Sequence, residues 1–586
     1  MIQPRHSKFK SPVINLFSTF ILLFFFTLAQ LPLLAQTGPH EKIFYNGKIF
    51  TASDSLPIAE AVSIRGQRIV AVGILQDVRA SVSARAELID LEGQCLLPGL
   101  VDSHNHAIGG GESLLSATLN DAFLTKEELR DFAKKTLESK RGMHGDVLFI
   151  GGVHSSTWAE VETLNDLFNR EPYLNQAVVL RGSDKHTAWV NNVVIRRASI
   201  DGSFIKSLSP AEKKYFGVNK YSEPNGLISE SGFRKIEAIL PSSPIKPIQA
   251  AEAGVKHLNS LGITAWLDPS AGNVSEGLNN HILTIYKELS AQKKLTAHVA
   301  TVVVANGNSD GLQQVEVVKK LQHQFASVSN ISILGFKIFA DGVLEFPTQT
   351  AAVSIPYTNS NQLGSLMFDP QKFRKFVVLA DRENLLVHVH AIGDRAVTES
   401  LDAFGSARRA NGNSTIPHSI THLQLVKPQD FARFSALNVL ASMQLLWASA
   451  DSYTMDLVKP YLDPQLFAHQ YPAMSLLNAG CIVAGASDWP VSSANPFDAI
   501  HMAETRKGQK GILDPKEIMP RIEMLKAYTI RAARVLMQEK NIGSIERGKN
   551  ADFVLLDRDV LTVSSDDIKE TKVLWTMFAG EIVYRN

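Results

Sequence analysis

Eight short apolar runs that end in polar residues constrain the fold more than any other feature of the sequence. Most of them are separated by a stretch long enough for a helix, such as DPQKFRKFVVLADREN. Apolar runs that alternate with helices are typical of parallel strands joined by crossover helices, and eight of them predict an α/β fold, a closed (β/α)8 TIM barrel. In order, the runs are LLPGLVDSHNH, GITAWLD, LTAHVATVVV, ILGFKIFADG, NLLVHVHAIGD, HSITHLQLV, NVLASMQLL and GCIVAGASD.

The spacing of the runs has one large exception, which predicts an insertion after the first barrel strand. About 155 residues separate the first run from the second, far more than one crossover requires. Strand-like pieces, DVLFIGG and AVVLRGSDKH, lie between them. We assign the barrel to residues 99–540 and expect residues from about 109 to 243 to form a cap over one end of it.

The two flanks of the predicted barrel have a different character. Residues 42–98 and 541–586 consist of short β-type runs with Gly and Asn turn signals. Neither piece alone has enough strands to bury a face, so we expect the two pieces to form one small β-sandwich.

The first 36 residues predict a secretory signal peptide. The basic stretch MIQPRHSKFK precedes the apolar stretch VINLFSTFILLFFFTLAQLPLLA and the polar QTGPH. Cleavage near Ala35 or Gln36 would give an exported protein, periplasmic or secreted, without a stable membrane span. The apolar stretch is long for a signal peptide, so an uncleaved N-terminal anchor is the alternative.

Composition and charge exclude some classes of partner. Of the 586 residues, 45% are hydrophobic and 20% are charged, and the formal net charge is +1. Such a chain can build a large core, but it lacks the polybasic surface that binds nucleic acid. Cys95 and Cys481 lie in apolar runs, so we expect buried free thiols rather than a disulfide framework.

Histidines lie at the ends of three predicted strands, which is where a barrel builds its sites. His104 and His106 are two residues apart in VDSHNHA, so both imidazoles share one face of the strand. HVHAIGD ends the fifth run with His388 and His390, and THLQ ends the sixth with His422. Neutral imidazole is the commonest metal ligand, so we predict a metal site with ligands His104, His106, His390 and His422. His388 lies further from the mouth, and we expect it to be a core residue or to support the ligands.

A carboxylate and an amine complete the candidate site. Asp488 ends the eighth run and can hold a cation and accept a proton from bound water, or cap the following helix. Lys337 lies inside LGFKIFADG, an apolar run where an unpaired ammonium is costly. Lys337 must therefore have a partner, lose its proton or be modified, and an ion pair with Asp341 or Glu345 beside a single metal is one alternative.

This ordered set of residues resembles the amidohydrolase superfamily, and more narrowly its third sequence family, which includes deformylases of N-substituted formamides. The resemblance implies one or two divalent metal ions, and zinc suits the imidazoles while iron and manganese stay open. In relatives with two ions the fourth-strand lysine is carboxylated and bridges them, which would make Lys337 a ligand. His186 matches a histidine that relatives place near the substrate, for binding or oxyanion stabilisation. The shared phrases include LLPGLVDSHNHA, VVLRGSDKHTAWVN, EPNGLISE, GFKIFADG, VHVHAIGDRAV, THLQLV, GASDWPV and IGSIERGKNADFVLLD.

These features predict a metal-dependent hydrolase that cleaves a non-peptide C–N bond in an amide, N-acyl or formamide. The metal would activate water as hydroxide, with Asp488 as general base. An ester, lactone or cyclic amide substrate is an alternative, as is a non-catalytic exported binding protein. Glu345 and Phe346, in VLEFPTQT, stand where many relatives have small residues, and we expect both to contact a small-molecule substrate. A homodimer is left open.

Overall fold

The computed structural model describes residues 40–309, 311–412 and 415–586. The predicted signal segment, residues 1–36, lies outside the described residues. Of the helices that are described, none combines the length and the apolar character needed to cross a membrane.

Strands and helices alternate through most of the described chain. The strands are β1 (Glu41–Phe50), β2 (Ile58–Arg65), β3 (Arg68–Gly73), β4 (Glu87–Asp90), β5 (Cys95–Pro98), β6 (Leu100–Asp102), β7 (Met143–His144), β8 (Val147–Val153), β9 (Ala177–Gly182), β10 (Thr187–Val190), β11 (Phe216–Val218), β12 (Pro224–Ser229), β13 (Ile263–Asp268), β14 (His298–Val304), β15 (Ile331–Phe339), β16 (Leu386–Ala391), β17 (Ser419–His422), β18 (Leu440–Met443), β19 (Val483–Gly485), β20 (Lys507–Gly508), β21 (Gly511–Ile512), β22 (Phe553–Leu556), β23 (Val573–Phe578) and β24 (Glu581–Arg585).

The helices connect these strands and cover the sheets. They are α1 (Leu75–Ala80), α2 (Ala107–Leu115), α3 (Lys126–Ser139), α4 (Val161–Phe168), α5 (Asn192–Arg197), α6 (Gly202–Ser207), α7 (Pro210–Lys213), α8 (Arg234–Glu237), α9 (Pro247–Ser260), α10 (His281–Ala291), α11 (Gly311–Phe325), α12 (Pro370–Arg382), α13 (Asp394–Asn411), α14 (Phe431–Ala436), α15 (Pro464–Phe467), α16 (Ala473–Asn478), α17 (Pro496–Thr505), α18 (Arg521–Lys526), α19 (Ala532–Val535) and α20 (Ser565–Ile568).

Eight parallel strands of the described chain form the central barrel, in the order β6, β13, β14, β15, β16, β17, β18 and β19. They are the eight apolar runs, so the TIM-barrel prediction is confirmed. Backbone hydrogen bonds join the first and last strands of the ring: Ser103 N donates to Gly485 O at 3.0 Å, and Asp488 N donates to His104 O at 2.8 Å. The first and eighth strands therefore bring His104 and Asp488 side by side.

Two apolar layers hold the barrel together. Side chains that point inward, such as Leu267 and Val302, form one cluster inside the ring. Side chains that point outward, such as Trp266 and Val303, pack against the surrounding helices. Because the strands are buried on both faces, they appear in the sequence as continuous apolar runs rather than as alternating ones.

Two glycines set the position of α2, the helix that begins directly after His106. A Cβ atom on Gly111 would lie 1.8 Å from the carbonyl oxygen of Ala250, and one on Gly254 would lie 2.2 Å from the carbonyl oxygen of Ala107. Backbones can approach this closely only where side chains are absent. The contact between α2 and α9 therefore holds the loop that carries the first two histidines.

Strands from both ends of the described chain join in one eight-stranded sheet. Its order is β24, β23, β22, β5, β1, β2 and β3, and β4 also pairs with β1. The two ends meet where β22 runs antiparallel to β5, with Phe553 opposite Pro98. Phe44 of β1 also packs against Trp575 of β23 with ring centroids 6.0 Å apart. The two ends therefore join as predicted, and their arrangement as a two-layered sandwich stays a prediction.

The chain between β6 and β13 carries a sheet of its own. In the described residues its order is β11, β12, β10, β9, β8 and β7. One face packs Val179 and Ile228 in an apolar cluster, and the other packs Leu180 and Trp158. This segment, called the cap below, therefore has apolar cores on both faces of its sheet.

Candidate metal centre

Two histidines and one aspartate lie together at the mouth of the barrel. His104 and His106 follow β6, and Asp488 follows β19 with a left-handed backbone at φ 56°. The Nε2 atoms of His104 and His106 lie 3.3 and 3.2 Å from Asp488 Oδ1. One ligand atom from each of the three residues lies within 4.8 Å of the others, a spacing that can hold a metal ion.

Two further histidines border this group, as the register of the parallel strands requires. His422 pairs with Ala391 across β17 and β16, directly after His390. The ring centroids of His390 and His422 are 4.4 Å apart, and those of His422 and His104 are 5.1 Å apart. His422 Nδ1 lies 3.9 Å from Asp488 Oδ2. The structure thus brings all four predicted imidazole ligands to one place.

Burial leaves His104, His390 and His422 neutral. It lowers the pKa values of His104, His390 and His422 well below the ordinary value, and the neighbouring cationic groups add to the effect. Burial alone would raise the pKa of Asp488, but the adjacent His106 and His422 lower it. At neutral pH the site therefore offers lone pairs and one carboxylate, which are metal ligands.

Asp488 Oδ1 provides a test of whether a cation fits. The atom is buried and has no hydrogen-bond partner among the described residues, although two imidazole nitrogens face it. Buried carboxylate oxygens without partners are rare because desolvation is costly. A divalent cation between the carboxylate and the imidazoles would satisfy all three groups, so the donor set fits the predicted metal.

Lys337 enters the same site from β15. The residue is 1% exposed, and burial lowers its pKa to about 7 against the opposing effect of Asp488. Within the described chain its Nζ atom forms no ion pair or hydrogen bond, and lies 5.1 Å from the ring centroid of Phe339. The ion pair considered from the sequence is not formed: Asp341 instead accepts backbone N–H groups of Ile392, Gly393 and Ala352 at 3.0, 2.8 and 2.9 Å.

His186 reaches the site from the cap, in the loop between β9 and β10. Its ring centroid lies 5.5 Å from that of His390, and its Nδ1 lies 3.0 Å from Glu230 Oε2. The other oxygen of Glu230 accepts a hydrogen bond from Thr350 Oγ1 at 2.7 Å. Burial alone would lower the pKa of His186, but the Glu230 carboxylate raises it to about 9. His186 is therefore a cation beside the predicted ligands.

The two remaining candidates, Glu345 and Phe346, differ in their position relative to the cavity. Glu345 lines the cavity at the barrel mouth, and burial raises its pKa to about 7. The Phe346 ring stacks on Tyr461 with centroids 4.5 Å apart, and Phe346 is not among the described residues that line the cavity. Adjacent positions in VLEFPTQT thus have different surroundings.

The candidate ligands lie in a cavity of about 2380 Å³. Barrel residues such as His422 and Asp488 form one part of its wall, and cap residues such as Arg181 and His186 form another. Sites for small molecules usually measure a few hundred to about 1,000 Å³, so the cavity has room for a substrate and for water.

Comparison with known proteins identifies the family. Residues 87–584 match the sequence profile of the amidohydrolase family. The chain belongs to the amidohydrolase family. The family supports a hydrolase that acts on a small molecule, and together with the His and Asp group it supports a divalent metal.

Two relatives cover nearly the whole of this amidohydrolase. The protein LONG AFTER FAR-RED 3 of Arabidopsis thaliana is 28% identical over 92% of this chain and 91% of its own length. The N-substituted formamide deformylase of Arthrobacter pascens is 22% identical over 94% of this chain and 99% of its own length.

Two solved structures of uncharacterised metal-dependent hydrolases have a similar fold. The protein from Pyrococcus horikoshii has a TM-score of 0.68 at 22% identity and covers 90% of this chain and 99% of its own. The protein from Pyrococcus furiosus has a TM-score of 0.65 at 26% identity and covers 89% of this chain and 100% of its own. Both share the overall fold of this amidohydrolase over about nine tenths of its length.

Three residues that hold the imidazoles of this amidohydrolase were not identified from the sequence. Glu230 binds His186, Gln444 Oε1 lies 3.1 Å from His422 Nδ1, and Ser419 Oγ lies 2.7 Å from His388 Nδ1. Each is a single polar residue in or beside a strand, which is a common feature. One of the three could have been identified from the sequence: Glu230 ends EPNGLISE, one of the phrases that carry the resemblance.

Proposed function

We propose that this amidohydrolase hydrolyses a non-peptide C–N bond in a small amide, N-acyl or formamide compound, with zinc as its divalent metal. The observation that carries the proposal is the buried Asp488 Oδ1, which lacks a hydrogen-bond partner in the described chain and faces His104 and His106. A carboxylate among imidazoles is a donor set that zinc prefers. The same carboxylate is placed to move a proton.

The metal would be held by His104, His106, His390, His422 and Asp488. When bound, a divalent metal polarises a substrate carbonyl and lowers the pKa of water. The residues themselves exclude bulk water, since three of the four imidazoles are almost fully buried, while the side chain of His106 is 31% exposed. His106 is therefore the ligand beside which a substrate would enter.

Asp488 would act as the general base and then as the general acid. Its lowered pKa keeps the carboxylate ionised at neutral pH, so Oδ2, the oxygen turned away from His104 and His106, can accept a proton from the attacking water. Oδ2 then returns that proton to the leaving nitrogen. Water adds to the carbonyl carbon, the C–N bond breaks, and the products are a carboxylic acid and an amine.

His186 would stabilise the negative charge that develops on the carbonyl oxygen. Glu230 keeps it protonated, with a pKa of about 9, and holds Nδ1, so that Nε2–H is available to donate a hydrogen bond. Fixed donors at a developing oxyanion are among the largest contributions to catalysis.

Lys337 would allow a second ion. An amine with a pKa of about 7 is largely unprotonated above neutral pH, which is the form that attacks carbon dioxide. The reaction forms an N–C bond, releases one proton and leaves a carbamate anion. The lack of any ion pair at Nζ within the described chain supports carboxylation, because the resulting oxygens would find their partners in the cations.

The substrate class rests on the relatives and on Glu345. The relative from Arthrobacter pascens is named an N-substituted formamide deformylase, which supports a formamide or N-acyl amine here. Glu345 adds a carboxylate to the cavity wall, which favours a substrate with a cationic or polyhydroxylated group.

The deciding experiment combines Asp488→Asn with a substrate panel. The variant should retain metal in elemental analysis while turnover falls by about 10²- to 10⁴-fold, the usual contribution of a general base. The panel pairs N-formyl and N-acyl amines with the matching esters and lactones. Turnover of esters or lactones alone would replace the C–N proposal, and tight binding without turnover would favour a binding protein.

We also propose that the protein is exported. The support is the order of basic, apolar and polar stretches in residues 1–36. Mature protein from the periplasm or medium should begin near residue 36, and N-terminal sequencing that begins upstream of Phe17 would favour an uncleaved anchor.

A further inference from the structure

A buried chain of three polar side chains runs away from the metal site behind His104. His104 Nδ1 lies 2.7 Å from His388 Nε2, and His388 Nδ1 lies 2.7 Å from Ser419 Oγ. All three residues are at most 1% exposed. They come from three parts of the barrel: the loop after β6, strand β16 and strand β17.

The direction of these hydrogen bonds follows from the ring protons. His104 Nε2 faces Asp488 Oδ1 at 3.3 Å, and it can bind a cation only if it carries a lone pair. The single proton of the neutral ring must then sit on Nδ1 and be donated to His388 Nε2. His388 must in turn carry its own proton on Nδ1, and it donates that proton to Ser419 Oγ.

The other two buried ligands are held by partners that accept without ambiguity. His422 Nδ1 lies 3.1 Å from the amide oxygen of Gln444, and His390 Nε2 lies 3.1 Å from the carbonyl oxygen of Gly342. An amide or carbonyl oxygen can only accept a hydrogen bond, so the ring nitrogen that faces it must carry the proton. His388 can accept or donate at either nitrogen, and the Ser419 hydroxyl behind it can also do either, so the directions of the two hydrogen bonds are set together.

We propose that His388 and Ser419 are positioning residues that hold the proton of His104 on Nδ1 and so direct its Nε2 lone pair at the metal. This inference rests on the proposed role of His104 as a ligand. Partners behind metal-bound histidines fix the ring orientation, and their loss typically weakens metal affinity 10- to 100-fold. The hydrogen-bonded chain from His104 through His388 to Ser419 is called the relay below. Because Ser419 lies on the strand that ends in His422, the relay also links the ligands of the first and sixth barrel strands.

The test separates the hydrogen bond from the bulk of the side chain. His388→Met keeps an unbranched side chain of similar size but removes the acceptor, so we expect zinc affinity to fall about 10- to 100-fold. In His388→Gln the amide oxygen can take the place of Nε2, and affinity should stay close to that of the wild type. Ser419→Ala should give a smaller loss. Competition with a chromophoric chelator measures affinity, and the visible absorption spectrum of the cobalt-substituted protein reports a changed ligand field.

His298→Met is the matched control. His298 is also buried and hydrogen-bonded, with Nε2 at 2.9 Å from Asp552 Oδ2, but it begins β14 at the end of the barrel opposite the site. Zinc affinity and the cobalt spectrum of this variant should match those of the wild type.

Three results would overturn the relay: wild-type affinity in His388→Met, equal losses in His388→Met and His388→Gln, or an equal loss in the His298→Met control. If His388→Met does not fold, Ser419→Ala decides, since it removes one hydroxyl, and unchanged affinity and spectrum in that variant count against the relay. Failure of the proposed function looks different, because His104→Ala would then also bind zinc like the wild type.

Discussion

Acid should destabilise this barrel through one buried carboxylate, Asp381, which lies near the C-terminal end of α12 and is 2% exposed. It accepts hydrogen bonds from His418 Nε2 at 3.0 Å, Asn411 Nδ2 at 2.9 Å and Arg408 Nη1 at 2.5 Å. Burial alone would raise the pKa of Asp381, but the bonds from His418 and Asn411 and the charge of Arg408 lower it from 3.8 to about 2. Protonation at low pH must break this network.

The size and sign of the effect follow from this shift. A pKa that is lower in the folded than in the unfolded state stabilises the fold above the unfolded value, and the contribution is lost as pH falls through the folded value. At 1.36 kcal/mol per pKa unit, Asp381 contributes ~2 kcal/mol at neutral pH. The contribution should decline between about pH 4 and pH 2, and roughly half of it should be gone at pH 3.

The assay compares the wild type with Asp381→Asn, which cannot titrate. Urea unfolding of metal-free protein, followed by tryptophan fluorescence, gives the free energy of unfolding at pH 7 and pH 3. The gap between the two proteins should be ~1 kcal/mol smaller at pH 3. Glu383→Gln, which removes an exposed ion pair with Lys319, should show a weaker pH dependence. An Asp381→Asn gap that is the same at both pH values would refute the reasoning.

Three further predictions concern the site. Gly254→Ala should lower zinc affinity and the melting temperature, because the new methyl group would meet the carbonyl oxygen of Ala107 and displace the loop that carries His106; zinc titration and thermal unfolding check this. Lys337→Met should reduce the metal content from two ions to one per chain by elemental analysis, and an unchanged content would exclude a bridging carbamate. Glu345→Gln should raise KM for cationic substrates and leave KM for neutral ones nearly unchanged, as steady-state kinetics on matched pairs would show.

The barrel could be predicted from the sequence because its signals are local. Each strand is buried on both faces, so GITAWLD and NLLVHVHAIGD stand out as short apolar runs. The ends of parallel strands meet at one rim, so polar residues that close these runs must lie close together. The prediction that Asp488 and His422 lie at one site required no knowledge of contacts between distant residues beyond the closure of the ring.

The features that escaped prediction depend on contacts between distant parts of the chain. Glu230 lies beside His186 because β12 pairs with β10, two strands whose pairing neither residue's neighbours in sequence indicate. Phe346 was grouped with Glu345 because they are adjacent, but its ring packs on Tyr461, more than a hundred residues further along. Pairing of β5 with β22 similarly joins the two ends of the described chain, and the sequence around either strand does not indicate that these two strands pair.

The features of the site that lower the stability of the folded protein lie at the rim of the barrel. Asp488 and His422 have positive φ angles of 56° and 76°, which non-glycine residues rarely adopt. Strain of this kind persists only where the surrounding structure determines it, and here His422 ends β17 and Asp488 follows β19, two strands that contribute to the apolar clusters of the barrel. Asp488 Oδ1 adds a buried polar atom with no hydrogen-bond partner among the described residues, and Lys337 adds a buried amine whose Nζ lies over the Phe339 ring. A cation would satisfy the carboxylate directly and a carboxylated lysine indirectly, so the features that cost stability in the protein alone are those that would favour metal binding.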